Sequence, residues 1–92
     1  MNRIDGKIAI ITGGTQGLGA AIAKQFAKSG AKGLITCGRN SKNGDQVAQS
    51  IANETGAKVC FVKTDLEQIN QVRELVPITK KIFGTVDILV NA

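Results

Sequence analysis

Apolar residues gather along this chain in short unbroken runs, separated by longer stretches in which they recur at helical spacing. The runs Ile8-Ala9-Ile10-Ile11, Leu34-Ile35-Thr36-Cys37, Ala57-Lys58-Val59-Cys60-Phe61-Val62 and Val86-Asp87-Ile88-Leu89-Val90 are short and rich in β-branched side chains, so they read as strands. Between them, Leu18, Ala21, Ile22, Gln25 and Phe26 fall on one helical stripe with only Gln25 off pattern. Val47, Ala48, Ile51 and Ala52 form a second stripe over about residues 41–55, and Ile69, Val72, Leu75, Val76, Ile82 and Phe83 a third over about 67–83. Each helix meets a glycine stop, at Gly30, Gly56 and Gly84. The Gly-Ala-Lys at 30–32 and again at 56–58 marks successive helix-to-strand joints rather than a solenoid repeat. Two local features disturb the pattern: Gly33 weakens the start of the second strand, and Pro77 predicts a kink or a break into two shorter helices near Val76. Near-continuous apolar strands alternating with amphipathic helices imply an α/β fold, its parallel sheet covered on both faces and joined by right-handed crossovers.

The passage from first strand to first helix carries the chemistry. Thr12-Gly13-Gly14-Thr15-Gln16-Gly17-Leu18-Gly19 turns abruptly from a buried strand into a helix. Residues without a Cβ let a diphosphate approach the main chain and let the helix pack closely on the sheet. The N–H groups at a helix start, with roughly half a positive charge from the aligned peptide dipoles, then favour the anion. The spacing Gly-x-x-x-Gly-x-Gly differs from that of the commoner dinucleotide fingerprint, and no Lys follows Gly19, which argues against a P-loop.

Thr12-Gly13-x-x-x-Gly17-x-Gly19 at a strand-to-helix turn resembles the short-chain dehydrogenase/reductase family. The resemblance implies a Rossmann-type parallel sheet with strand order 3-2-1-4 and flanking helices, the N-terminal portion of a doubly wound domain. It implies binding of NADP(H) or NAD(H) and hydride transfer between the nicotinamide and a carbonyl or alcohol substrate. The glycine turn, with Gly13, Thr15, Gln16, Gly17, Leu18 and Gly19, is expected to hold the diphosphate.

About 20 positions past such a turn, an acid that bonds the ribose hydroxyls accompanies NAD. Here the place reads Gly38-Arg39-Asn40, so Arg39 brings a guanidinium to where a 2′-phosphate would lie, and the family pattern makes NADP(H) the preferred cofactor. Asp65-Leu66 matches the family's pair flanking the adenine; equally, Thr64 or Asp65 can cap the third helix, with Glu67 in its first turn. Asn91-Ala92 resembles the start of the family's Asn-Asn-Ala-Gly strand end, which implies backbone bordering the cofactor ribose and a Thr12 that braces adjacent strand ends. The family's catalytic Ser, Tyr and Lys have no counterpart, and the sequence contains no Tyr. The resemblance therefore covers only the first third or so of a typical member. Residues 1–92 are expected to be one truncated cofactor-binding domain, inactive alone, with no catalytic residue of its own.

Composition narrows the rest. The net charge of +5 is spread over scattered Lys and Arg rather than a dense run, and 3 Phe with no Tyr or Trp leave little to stack on bases. Nucleic acid is therefore not expected as a partner, while modest positive charge suits an anionic cofactor. Cys37 and Cys60 lie inside apolar runs without CxxC spacing or any His, and read as structural thiols with no metal site. No apolar run is long enough to span a membrane, and residues 1–5 lack a signal-peptide core, so a cytoplasmic location is expected. A chain of 92 residues is marginal as a free-standing domain. Family resemblance suggests a homo-oligomer when complete. The alternative is a naturally short, non-catalytic protein that binds a nucleotide or a partner.

Overall fold

The computed structural model describes residues 4–15 and 17–92. Strands β1 (Ile8–Thr12), β2 (Gly33–Gly38), β3 (Lys58–Lys63) and β4 (Ile88–Asn91) alternate with helices α1 (Gly17–Lys28), α2 (Ser41–Thr55) and α3 (Ile69–Phe83). The strands are parallel and lie in the order β3-β2-β1-β4, as expected from the sequence. Ile10 pairs with Ile35 on one side and Leu89 on the other, and Ile35 pairs in turn with Cys60. Every residue of β1 is buried, because this strand has neighbours on both edges and helices over both faces. β4 begins at Ile88, later than the apolar run suggests. Asp87, just before it, is tied twice to the start of β1: its carboxylate accepts from the Ile8 N–H at 2.9 Å and its own N–H donates to the Ile8 carbonyl at 2.9 Å.

Alternation along the strands builds two cores. Ala9, Ile11 and Leu34 face α1 and α2 and meet Ala23, Ala27 and Ile51; Ile10, Ile35 and Cys37 face the other way and meet Leu75 of α3. α2 has the bounds expected of it, and of its stripe Ala48 and Ile51 are buried while Val47 and Ala52 are half-buried; Asn40 is the N-cap and Gly56 closes it in the left-handed region at φ 80°. Lys24 and Lys28 of α1 reach Glu54 of α2 at 3.1 and 3.9 Å, but all three side chains are about half exposed, so screening leaves these pairs little stabilising effect.

The buried face of α1 is not the stripe of large residues. Gly19, Ala23 and Ala27 are buried, while Leu18 is 71% exposed, Ala21 is exposed and Ile22 and Phe26 only flank the core. Small side chains along one i, i+4 row let the helix axis lie close over the sheet, which pushes the bulkier neighbours to its sides.

α3 also departs from expectation. It starts at Ile69 rather than near 67, since the Asp65 carboxylate accepts from the Glu67 N–H at 3.0 Å and the Asp65 carbonyl accepts from the Gln68 N–H at 2.9 Å, closing a turn first. Pro77 lies inside one continuous helix, with no break at Val76. Pro77 and Arg73 are both exposed, so the carbonyl that loses its partner faces solvent, while Leu75 and Thr79 on the opposite side are buried against the sheet. Of its apolar residues, Ile69, Val76 and Ile82 are exposed and Leu75 alone is fully buried. Phe83 explains Gly33: a Cβ on this strand residue would collide with the Phe83 ring. Among the described residues no helix is long and apolar enough to cross a membrane.

Candidate functional site

All four strands run parallel, so their carboxyl ends share one edge of the sheet, and that edge gathers the residues singled out from the sequence. After Thr12 the chain makes a turn through Gly13, whose φ of 73° is closed to most side chains and whose N–H donates to the Cys37 carbonyl at 3.1 Å. Gly14 rests on Thr36, where a Cβ would come within 2.8 Å of Cγ2. Gly17 opens α1 at φ 57°, and a Cβ there would meet nothing within 4 Å. Gly19 is different again, because its Cβ would overlap the Gly13 carbonyl oxygen. One glycine thus makes the bend, one leaves space above the helix start, and one lets helix and turn touch. No acid occupies the first turn of α1 to compete for its free N–H groups. The geometry fits an anion received by backbone alone. Leu18 stands exposed beside this opening, and Gln16 lies outside the described residues.

β4 borders the turn. The Thr12 hydroxyl lies 3.2 Å from the Val90 carbonyl oxygen and 3.0 Å from Asn91 Oδ1, and the Ala92 N–H donates to the Thr12 carbonyl at 3.3 Å. A Cβ on Gly13 would approach the Ala92 carbonyl oxygen to 3.2 Å. Asn91 and Ala92 are therefore held beside the glycine turn through Thr12.

On the other side, Gly38 ends β2 against Thr15, and Arg39 and Asn40 are exposed. Asn40 caps α2, its Oδ1 accepting from the Asn43 N–H at 3.0 Å. Gly38, Arg39, Thr64, Asp65, Leu66 and Glu67 line a cleft of about 230 Å³ between the ends of β2 and β3. Leu66, 44% exposed, forms part of its wall. Neither Thr64 nor Asp65 caps α3, correcting the capping alternative: the N-cap is Gln68, without a side-chain bond, while Thr64 is buried with its hydroxyl on the Val62 carbonyl at 3.1 Å. Glu67 accordingly precedes the helix instead of lying in its first turn. Other hollows lie on the outer face of α2 and between α1 and α2, and include no residue of the glycine turn.

Two features of this edge escape a reading of the sequence. Asn43, in the first turn of α2, donates its side-chain amide to the Thr15 carbonyl at 3.1 Å, across 28 residues. Beneath the turn, Thr36 is fully buried and its hydroxyl is without a hydrogen-bond partner among the described residues. Cys37, also fully buried, has its thiol pushed up from the ordinary value of 9.0 by desolvation, against weaker lowering by the Gly13 backbone and the Thr64 hydroxyl. It remains a protonated packing residue at neutral pH. Among the described residues no group of His, Cys, Asp or Glu is placed to hold a metal ion.

The family model for short chain dehydrogenases matches residues 7–92. The chain belongs to that family. An uncharacterized oxidoreductase of Thermotoga maritima is 42% identical over 88 residues, covering 96% of this chain and 34% of that protein. The 3-oxoacyl-[acyl-carrier-protein] reductase FabG of Chlamydia muridarum is 40% identical over 85 residues, covering 92% of this chain and 34% of that protein. Among solved structures, the L-sorbose reductase of Gluconobacter frateurii, complexed with NADPH and L-sorbose, superposes with a TM-score of 0.92 at 36% identity, covering 100% of this chain and 35% of that one. The alcohol dehydrogenase of Thermococcus sibiricus, complexed with 5-hydroxy-NADP, gives a TM-score of 0.83 at 30% identity over 90% of this chain and 35% of its own. The short chain dehydrogenase sequence here thus spans about a third of the length of these relatives.

Proposed function

We propose that residues 1–92 form the cofactor-binding part of an NADP-dependent short-chain oxidoreductase that moves hydride between the nicotinamide and a carbonyl or alcohol carbon of a small molecule. The observation that carries this reading is the joint placement, on one edge of the sheet, of an open glycine turn with positive φ at Gly13 and Gly17 and of Arg39 just past β2, whose own end bears no carboxylate, Asp65 and Glu67 lying across the cleft. The N–H groups from Gly17 onward, with Thr15 and Gln16, would receive the diphosphate, Gly13 making the bend that lets it approach, Leu18 beside it and Gly19 holding helix to turn. Arg39 would meet a ribose 2′-phosphate, Asn40 would hold that loop, Asp65 would accept from the adenine amine and Leu66 would pack on the ring. Asn91 and Ala92 would border the nicotinamide-side ribose. The bound cofactor would supply or accept the hydride at its nicotinamide ring. Likeness to structures holding NADPH and 5-hydroxy-NADP supports this choice of cofactor.

On this reading this part positions the cofactor, and the Tyr-dependent proton transfer of the family pattern is not supplied by it, since its sequence has no Tyr. On this reading residues 1–92 alone do not oxidise NADPH, the substrate pocket is built elsewhere, and the complete enzyme is a homo-oligomer. The absence of Tyr equally suits a non-catalytic nucleotide-binding protein. Calorimetric titration of the full-length protein with NADPH and NADH, followed by NADPH oxidation against a carbonyl panel, tests both. Binding with turnover is the expected result; binding without turnover favours the second reading, and no binding of either dinucleotide overturns both.

A further inference from the structure

Residues 13, 14 and 15 of the glycine turn are each held by the segment that runs from β2 into α2. The Gly13 N–H is on the Cys37 carbonyl, Gly14 rests on the Thr36 side chain, and the Thr15 carbonyl accepts from Asn43 Nδ2 at 3.1 Å. The first two contacts come from the sheet itself. The third comes from a helix whose start is separately fixed, by the Asn40 cap on the Asn43 N–H and by Gly44, where a Cβ would collide with the Phe61 ring of β3. Asn43 is half-buried and is fastened at both ends, through its backbone to Asn40 and through its side chain to Thr15. Asn40 is the residue after Arg39. A dinucleotide phosphate carries its diphosphate and its 2′-phosphate at a separation set by one adenosine, so a site for both needs the turn and the Arg39 loop in fixed register.

We propose that Asn43 is a positioning residue that sets this register, coupling the diphosphate turn to the loop carrying Arg39. The inference rests on the cofactor reading given above. Asn43 touches neither anion; it acts through the Thr15 carbonyl on one side and the capped start of α2 on the other. Removing its amide leaves a part-buried carbonyl unpaired and frees the turn to move relative to Arg39.

The test is calorimetric titration of NADPH into the full-length protein, wild type and variants. Asn43→Leu keeps the size and loses the donor, and is expected to weaken NADPH binding about tenfold, the effect of one hydrogen bond of ordinary strength. Asn43→Gln keeps an amide and is expected to restore most of the affinity. Asn43→Asp also loses the donor and sets a carboxylate oxygen against the Thr15 carbonyl, a cost that an acid at the third position of α2 offsets in part. It is expected to melt no higher than wild type and, where circular dichroism shows it folded, to bind NADPH less well, with the Gln variant recovering the affinity that the Asp variant loses. It also serves where the Leu variant does not fold. In the double-mutant cycle with Arg39→Ala, loss of Arg39 is expected to cost less affinity in the Asn43→Leu background than in wild type. Wild type that binds NADPH with Asn43→Leu within twofold of it, or a strictly additive cycle, overturns the coupling alone. Wild type that does not bind NADPH overturns the cofactor reading beneath it.

Discussion

The carboxyl ends of β1 and β2 touch, through the Gly13 N–H on the Cys37 carbonyl, yet they are made of opposite materials. The end of β1 is bare backbone: glycines at 13, 14, 17 and 19, and a helix start with no acid in its first turn. The end of β2 works through side chains, Arg39 outward, Asn40 capping and Asn43 reaching back. An anion held by main-chain N–H groups depends on dihedrals and clearances that few residues other than glycine allow, so such a site is intolerant of any Cβ. An anion held by a guanidinium depends on one charge that can be exchanged without disturbing the fold. Substitutions at the two ends should therefore fail in different ways.

The largest effect is expected at Gly19. Its Cβ would overlap the Gly13 carbonyl oxygen, backbone against backbone, with no flexible side chain to move aside. Gly19→Ala should cost about 1–3 kcal/mol of stability or more, as overpacking does, and remove NADPH binding with it. Urea denaturation checks the first and calorimetry the second. A variant as stable as wild type would show that α1 does not need this contact.

Gly17 should separate what Gly19 combines. Nothing lies within 4 Å of its Cβ position, so the protein itself has room, and only the φ of 57° opposes a side chain, at roughly 1–2 kcal/mol. Gly17→Val in the full-length protein should remain folded by circular dichroism while losing NADPH binding, because the space it fills is the space proposed for the diphosphate. An unchanged Kd would refute that assignment.

The two strand ends also differ in how far they can be read from the sequence. Buried strands announce themselves, since Ile8 to Ile11 and Leu34 to Cys37 have no polar side chain to hide except Thr36, and glycines at fixed spacing mark the turn directly. The face of α1 is misread because hydrophobicity weights Leu18 and Ile22, whereas packing distance selects Gly19, Ala23 and Ala27. Pro77 reads as a break because the sequence does not reveal that its side of α3 faces solvent and that Leu75 and Thr79 hold the other. Asn43 is legible only as a polar residue in a first helical turn; its bond to Thr15 depends on how the crossover brings α2 back beside the turn.

A smaller and reversible effect is expected at the end of β2. With no carboxylate on the strand end itself, Asp65 and Glu67 lying across the cleft after β3, Arg39 can contribute charge-assisted hydrogen bonds worth about 1.5–3 kcal/mol, roughly ten- to hundredfold in affinity. The paired change Gly38→Asp with Arg39→Ala should reverse the preference from NADPH to NADH. The site has nearly enough space, since a Cβ at Gly38 would lie 3.3 Å from Thr15 Oγ1 and 3.4 Å from its Cγ2, which a small shift of Thr15 relieves. Wild type using NADH as well as NADPH at low ionic strength, where Arg39 is least screened, would sink the assignment.

The smallest effect is expected at Cys37, where the two ends meet. Its thiol is held above the ordinary value of 9.0 by burial, so between that value and its folded one the unfolded chain loses the proton and the native chain keeps it. The native state then binds more protons than the unfolded state, and stability falls as pH rises, by at most about 1.4 kcal/mol per pH unit. Below the ordinary thiol range both states are protonated and the contribution is constant. Cys37→Ala should be less stable than wild type at about pH 7, from the cavity it leaves, but this deficit should narrow as pH climbs above about 9, because only wild type carries the thiol linkage. Paired urea melts across that range measure it, and a deficit that stays constant with pH would mean that the thiol ionises in the folded protein as freely as in the unfolded chain.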